Sequence, residues 1–333
     1  MNVTLRPLTH DDIPELARHL ADVEAVDRTG EHYNEDDLVE EFANPDIELG
    51  KDIVGAFELS TGSGPGGERI LGYFAVYPRS ADDTHHKIHL EGSVRPDRRG
   101  EGIGTLLVHT MLTRADEVHA ERGLERPARY GVTGLSDNTA QEQVLLEHGL
   151  RPERWNFVMR RQLGDVGPPP ARPDGYELRR YDESLSVAMH EAHNAAFVDH
   201  PNFTPWSEVM WKQWVTDSRN FRPELSLVVV DRAEPERVLA YVQSNEFDAY
   251  FEATGRREAF VAKVGTRREH RGRGLAGALL AHALAAYQEA GFDEASLDVD
   301  SENPTGALGI YERAGFATES RWTNYALDRA AKA

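Results

Sequence analysis

The chain has 333 residues, 40% of them hydrophobic and 28% charged, which is the balance of folded globular domains and excludes a mostly disordered chain. Its 57 Asp and Glu outnumber 37 Lys and Arg, and a formal charge of −20 repels phosphate backbones and anionic leaflets, so neither nucleic acid nor membrane is expected as a partner. The absence of cysteine excludes disulfides, thiolate metal sites and a cysteine nucleophile.

In chain order, the pattern predicts a strand near 3–7, a helix near 10–26, strands near 52–60 and 69–77, and a glycine-rich hairpin loop at 62–67. The start shows no basic segment followed by an apolar run, and no stretch approaches the roughly 20 apolar residues of a membrane span; a cytoplasmic protein is expected. An apolar run from Ile88 to Val94, interrupted by Glu91 and Gly92, leads into Arg99-Gly100-Glu101-Gly102-Ile103-Gly104 and a helix over 102–122 that Gly123 closes. Ser136-Asp137-Asn138 and Glu147-His148-Gly149-Leu150 follow, and Trp155 opens a closing strand. Residues 164–175 contain three consecutive prolines, which lack amide donors and keep a chain extended, and read as a linker. The expected boundaries are therefore 1–163, 164–175 and 176–333.

The second part repeats the first. It has a strand near 176–180, helices near 182–198 and 205–216, and strands near 225–231, 237–246 and 258–266, with Thr204 and Pro205 as the cap and first position of the second helix. The apolar run from Ala259 to Val264, interrupted by Lys263, leads into Arg271-Gly272-Arg273-Gly274-Leu275-Ala276, 172 residues after its counterpart, and a helix over 274–290 closed by Gly291. Ser301-Glu302-Asn303, Arg313-Ala314-Gly315-Phe316 and Trp322 complete the echo. A period this long means duplication of a whole domain, since solenoids repeat every 20 to 50 residues or so.

A strand, Arg-x-x-Gly-x-Gly/Ala and a helix make a pyrophosphate site: glycine lets the backbone turn closely, and the free amides and dipole of the helix start favour an anion. Arg95, Arg98 and Arg99, and Arg267, Arg268, Arg271 and Arg273, form basic islands in an acidic chain. No Gly-Lys-Ser/Thr ending is present, and the literal Gly-x-Gly-x-x-Gly at 272–277 falls too late in its half for a dinucleotide fold. The histidines show no His-Glu-x-x-His spacing, so no metal is expected.

Arg99-x-x-Gly102-x-Gly104 and Arg271-x-x-Gly274-x-Ala276, with the segments Val94–Gly100 and Val264–Gly272 and the later Asn303…Ala307…Tyr311…Phe316, resemble the GNAT acyltransferase superfamily over nearly all of both halves. The resemblance implies an α/β fold class (α+β, mixed sheet) of two tandem GNAT-like domains, each splayed between its fourth and fifth strands, with acetyl-CoA as cosubstrate. It assigns CoA backbone contacts to Val264 and Thr266 and the pyrophosphate to Arg271, Gly272, Arg273, Gly274, Leu275, Ala276 and Gly277. Asn303 would hold the pantetheine or the helix start, while Arg99, Gly100, Gly102 and Gly104 form the corresponding site of the first half. Tyr311 matches the family's thiolate-protonating tyrosine. The first half has Leu145 or Leu146 there, so it is expected to be non-catalytic or degenerate.

Glu258 opens the fourth strand of the second copy and, by the two-residue period, shares a face with Phe260, Ala262, Val264 and Thr266, which makes it the candidate base; Asp248 and Glu252 compete. Trp211 and Trp214, three apart, share a helix face that packs the core or walls an acceptor pocket with Trp206. His193 and His270 are expected to have no catalytic role. The expected activity is acetyl-CoA-dependent N-acetylation of a primary amine on a small molecule, by a monomer or homodimer. A protein or peptide acetyltransferase and a non-catalytic acyl-CoA-binding protein are the alternatives.

Overall fold

β1 (Val3–Pro7) and α1 (Ile13–Asp27) open the chain, followed by α2 (Glu35–Phe42), α3 (Leu49–Asp52), β2 (Ile53–Glu58), β3 (Ile70–Ala81) and β4 (His86–Val94). Then come α4 (Ile103–Glu121), β5 (Ala128–Leu135), α5 (Thr139–Glu147) and β6 (Arg151–Gln162). The computed structural model describes residues 3–58, 68–81, 84–171, 174–200, 203–301 and 306–330; the expected loop at 62–67 and Asn303 lie outside them. β1 to β4 pair antiparallel in sequence order, and β5 adds parallel to β4. Apolar residues alternate along these strands, so one face packs on α4 through Leu107, Met111 and Ala115, and the other on α1 and α2 through Leu16, Leu38 and Phe42. The sequence pattern showed no element at α2. Its apolar face has little besides Leu38 and Phe42, and its start is set by Asn34, whose side chain accepts the Asp37 amide.

The same order recurs in β7 (Tyr176–Arg180), α6 (Ser186–Phe197), α7 (Glu208–Trp211), β8 (Leu227–Asp231) and β9 (Val238–Asn245). It continues through α8 (Asp248–Thr254), β10 (Glu258–Thr266), α9 (Leu275–Glu289), β11 (Glu294–Asp300), α10 (Ala307–Arg313) and β12 (Ala317–Arg329). Here β7 to β10 are antiparallel and β11 joins parallel to β10. Leu279, Leu280 and Ala283 of α9 fill one face, and Met189, Trp211 and Val215 the other.

Two expectations for this part need correction. Thr204 and Pro205 do not start the middle helix, because Asn194 holds the backbone of Trp206 by accepting its N–H (2.8 Å) and donating to its carbonyl (3.0 Å). Ser207 is the cap instead, accepting from the Met210 amide. The helix then passes into a π-helical turn at 212–216, which alters the periodicity: Trp211 is buried, Trp214 is 48% exposed, and the two do not share a face.

The compact units are not contiguous halves. One comprises residues 1–155 with 321–333, the other residues 156–320. Within β6, residues 156–162 pair antiparallel with β11, from Asn156↔Asp300 to Gln162↔Glu294; within β12, residues 322–329 pair with β5, from Trp322↔Leu135 to Arg329↔Ala128. Each unit's closing strand thus comes from the other copy's sequence, and the echoing Trp155 and Trp322 lie where the chain changes unit. A sequence repeat reveals that a closing strand exists; ladder bonds alone decide which copy it closes.

Candidate active site

Each glycine-rich turn joins a strand end to a helix start. In the second unit β10 ends at Thr266, residues 268–270 form a 3-10 turn, and α9 follows Gly274, whose φ of 76° lies in the left-handed region. Gly102 repeats this before α4 at φ 81°. A Cβ would clash with the backbone in that conformation, which is why glycine stands there. The amides of Leu275, Ala276 and Gly277 begin the helix without intrahelical acceptors, as the first helical bond runs from the Ala278 amide to the Gly274 carbonyl, and free amides at a helix start suit an anion. A Cβ built on Gly272, Gly274 or Gly277 would meet nothing within 4 Å, so the cradle is open to a ligand.

The arginines have a different task from the one their charge suggests. Arg271 donates to the Thr266 carbonyl (3.3 Å), the Ala196 carbonyl (2.6 Å) and Asp199 (2.8 Å). Arg99 mirrors it, binding the Val94 carbonyl (3.2 Å) and both oxygens of Asp27 at 2.7 Å. Arg268 also pairs with Asp199, Arg95 with Asp22, and Arg98 with Glu101 and Glu58. Acidic neighbours therefore neutralise most of both basic islands, and these side chains brace the turns. Arg273, held by the Tyr176 hydroxyl (2.6 Å) and the Glu269 carbonyl (3.2 Å), keeps its charge at the open face of the cradle.

Beyond the turn, the sheet opens. β10 and β11 are paired only at Glu258↔Glu294, Ala259↔Ala295 and Phe260↔Ser296, while each stays bonded to its outer neighbour, β9 or β6. From residue 261 onward the two strands face each other without ladder bonds. Val264 packs against the α9 core, and the Thr266 hydroxyl is buried with no partner among the described residues. α10 carries Tyr311 in the core cluster against which Val264 packs, 8% exposed and edge-on to Phe316 at 6.3 Å between ring centres. Burial alone pushes its phenol up to about 12. The first-unit counterpart of Asn303, Asn138, caps α5 by accepting the Gln141 amide at 3.1 Å, and Leu145 of that helix is buried in the core.

Glu258 is not on the face that a strict two-residue period gives it. The register between β9 and β10 slips between Val261 and Lys263, so residue 262 is a bulge and the alternation inverts after it. Glu258 and Phe260 share their face with Lys263 and Gly265; Ala259, Val261 and Val264 turn to the α9 side. The carboxylate lies inside the paired segment, bonded to Arg160, which also holds Glu294 (3.3 Å) and Glu319 (2.8 Å). Burial raises its pKa and Arg160 opposes the shift. Asp248 and Glu252 lie on α8 and not on a bare turn.

The inverted face carries residues that sequence reading passed over. His193, fully buried, bonds the Tyr241 hydroxyl through Nδ1 at 2.6 Å, and Tyr241 lies over Gly265, where a Cβ would come within 2.4 Å of its ring. Lys263 stands opposite Gln243, its Nζ donating to the Ala262 carbonyl at 2.9 Å, and burial lowers its pKa. Gln243 Oε1 and His193 Nε2 are buried without partners among the described residues. The only sequence signal for this group was Lys263 itself, a cation breaking an apolar strand.

Residues 2–151 match an acetyltransferase (GNAT) domain, and residues 186–316 match the acetyltransferase (GNAT) family. The chain belongs to the GNAT acetyltransferases. It is 30% identical over 243 residues to the mycothiol acetyltransferase of Tsukamurella paurometabola, spanning 71% of this chain and 77% of that protein. The mycothiol acetyltransferase of Nocardia farcinica is 31% identical over 250 residues, spanning 74% and 76%. Among solved structures, a GCN5-related N-acetyltransferase from Sphaerobacter thermophilus aligns with a TM-score of 0.78 at 26% identity, over 99% of this chain and 97% of that one. A tandem GNAT protein from the clavulanic acid biosynthesis pathway shares the fold at a TM-score of 0.67 and 16% identity, over 99% and 100%. The protein is thus a tandem GNAT N-acetyltransferase with an architecture like that of mycothiol synthase, and an enzyme rather than a CoA-binding scaffold. GNAT enzymes use acyl-CoA donors, and no helix among the described residues is long and apolar enough to cross a membrane.

Proposed function

We propose that the second unit acetylates a primary amine of a small molecule by direct attack on the thioester of acetyl-CoA. The observation that carries this reading is the parting of β10 from β11 after Phe260↔Ser296, on the strand that leads into the free amides of α9 and whose Val264 packs against the core cluster holding Tyr311. The mycothiol acetyltransferase relatives favour a small acceptor over a protein.

In this reading the amides of residues 272–277, with Arg273, bind the pyrophosphate. The unladdered edge of β10 offers main-chain groups to the pantetheine arm as a further strand would, and Thr266 gains the partner it lacks. Main-chain N–H groups at residues 262–264, next to the bulge, polarise the thioester carbonyl. Tyr311 donates a hydrogen bond to the sulfur as charge builds there. A thiol titrates near 8.5, far below a phenol held at about 12, so the proton stays on oxygen and the thiolate is completed by a proton from the amine nitrogen. Gln243 Oε1 and His193 orient the acceptor on the opposite face of the slot.

The deciding experiment measures acceptor-dependent thiol release from acetyl-CoA with a panel of small amines and a panel of peptides. Turnover with small amines is expected. Turnover confined to peptides would replace this reading with a protein or peptide acetyltransferase.

A further inference from the structure

The first unit contains a cavity of about 500 Å³ whose lining residues all belong to that unit. Gly100, Gly102 and Gly104 border it on one side, and Tyr73, Glu91 and Ser93 on another. It lies in the splay: β4 and β5 are paired from His86↔Ala128 to Leu90↔Val132, and Glu91 is the first residue past the last pair. β4 runs opposite β3 without a bulge here, so Glu91 shares its face with Tyr73 and Tyr77, the face covered by α1 and α2. Both tyrosine hydroxyls donate to Glu91 Oε1, at 3.2 and 3.1 Å, and Tyr77 also bonds Glu41 of α2.

We infer that this first unit is a second acetyl-transfer site, for a small cationic amine, with the Glu91 carboxylate taking the ammonium proton. The charge of the cavity favours such an acceptor: Glu24, Glu31 and Glu91 line it, while Asp27 neutralises Arg99. Burial first, and then the charge of Glu91, raises Glu41 to about 7, so Glu41, which shares the Tyr77 hydroxyl with Glu91, can take up a proton near neutrality. The amine nitrogen bonds to the thioester carbonyl carbon and the carbon–sulfur bond breaks. One ammonium proton goes to Glu91 and leaves past His89, 3.9 Å away; a second passes from nitrogen to the departing sulfur, giving an amide and a free thiol. No phenol is needed in this scheme, which accommodates the buried Leu145 on α5.

The test uses the full chain. Ala276→Glu sets a carboxylate in the first turn of α9, where the dipole accepts it and a pyrophosphate is excluded; Gly104→Glu does the same in α4. Calorimetric titration with CoA is expected to find two equivalents in the wild type and one in each variant. In the Ala276→Glu background, thiol release from acetyl-CoA with 1,4-diaminobutane persists. Adding Glu91→Gln then lowers it at least a hundredfold with one equivalent of CoA still bound, and adding Gly104→Glu in place of Glu91→Gln abolishes it with Glu91 intact. The inference is overturned if Ala276→Glu binds no CoA, or if Glu91→Gln leaves diamine turnover within threefold. If Tyr311→Phe and Ala276→Glu alter turnover with no acceptor, it is the reading of the second unit that fails, while a loss on Glu91→Gln still supports this one.

Discussion

Glu91 and Lys263 occupy the same ladder position in the two units. Glu91 faces Ala75, two residues before the partner of Tyr73; Lys263 faces Gln243, two residues before the partner of Tyr241. Duplication kept the position and reversed its charge.

That reversal predicts a difference in acceptor preference. An ammonium beside the second unit's slot disfavours a cationic acceptor by roughly 1 kcal/mol in a solvated setting and more when dry. Lys263→Met keeps the stem and removes the charge, and is expected to lower the KM of a cationic amine about fivefold in a Gly104→Glu background while leaving that of a zwitterionic analogue within twofold. Equal shifts for both acceptors would refute an electrostatic role.

Tyr311→Phe deletes one oxygen from a packed ring. The prediction is a roughly hundredfold loss of kcat in the second unit with CoA affinity unchanged, because the bond to sulfur exists only as charge develops. With its phenol pushed up to about 12, the wild type should show no loss of activity from tyrosine ionisation up to pH 9.5 or so. A variant losing affinity and not kcat would mark Tyr311 as a packing residue.

Glu258→Gln separates a base from a brace. The carboxylate is buried against Arg160, and weakening this charge-assisted pair is expected to cost about 2 kcal/mol of stability, read as a lower urea midpoint, with kcat within threefold of the wild type. An unchanged midpoint with a hundredfold fall in kcat would return Glu258 to the reaction.

His86 and His119 meet in the core at 3.0 Å between their Nδ1 atoms, and burial, aided by His119, lowers His86 to about 4. The unfolded imidazole titrates near 6.5, so between those values the unfolded state binds more protons and stability falls as pH falls. His86→Gln removes that dependence. The variant should be less stable than the wild type at pH 7.5, and the gap should close by about 2 kcal/mol at pH 5. A gap independent of pH in equilibrium urea titrations would contradict the lowered value.

The duplication, both glycine-rich strand-to-helix turns and the tyrosine on the last helix were legible in the sequence because each is a property of contiguous residues. Gly102 and Gly274 adopt positive φ for steric reasons that any short segment carries with it, and the amides that follow are free wherever a helix begins. The β4–α4 and β10–α9 junctions could therefore be read from spacing alone.

Other features came from residues distant in sequence. The bulge at residue 262 turned Glu258 away from Val264, and Arg160, 98 residues earlier in the chain, claimed its carboxylate. Tyr77 joined Glu41 to Glu91, and the closing strands changed units. Local backbone sterics determine where a chain turns and which amides it leaves free. Ladder register, ion pairing and the choice of closing strand depend on partners that only the folded chain brings within a few ångströms, so tertiary structure alone decided which carboxylate faces a cavity and which is locked in a pair.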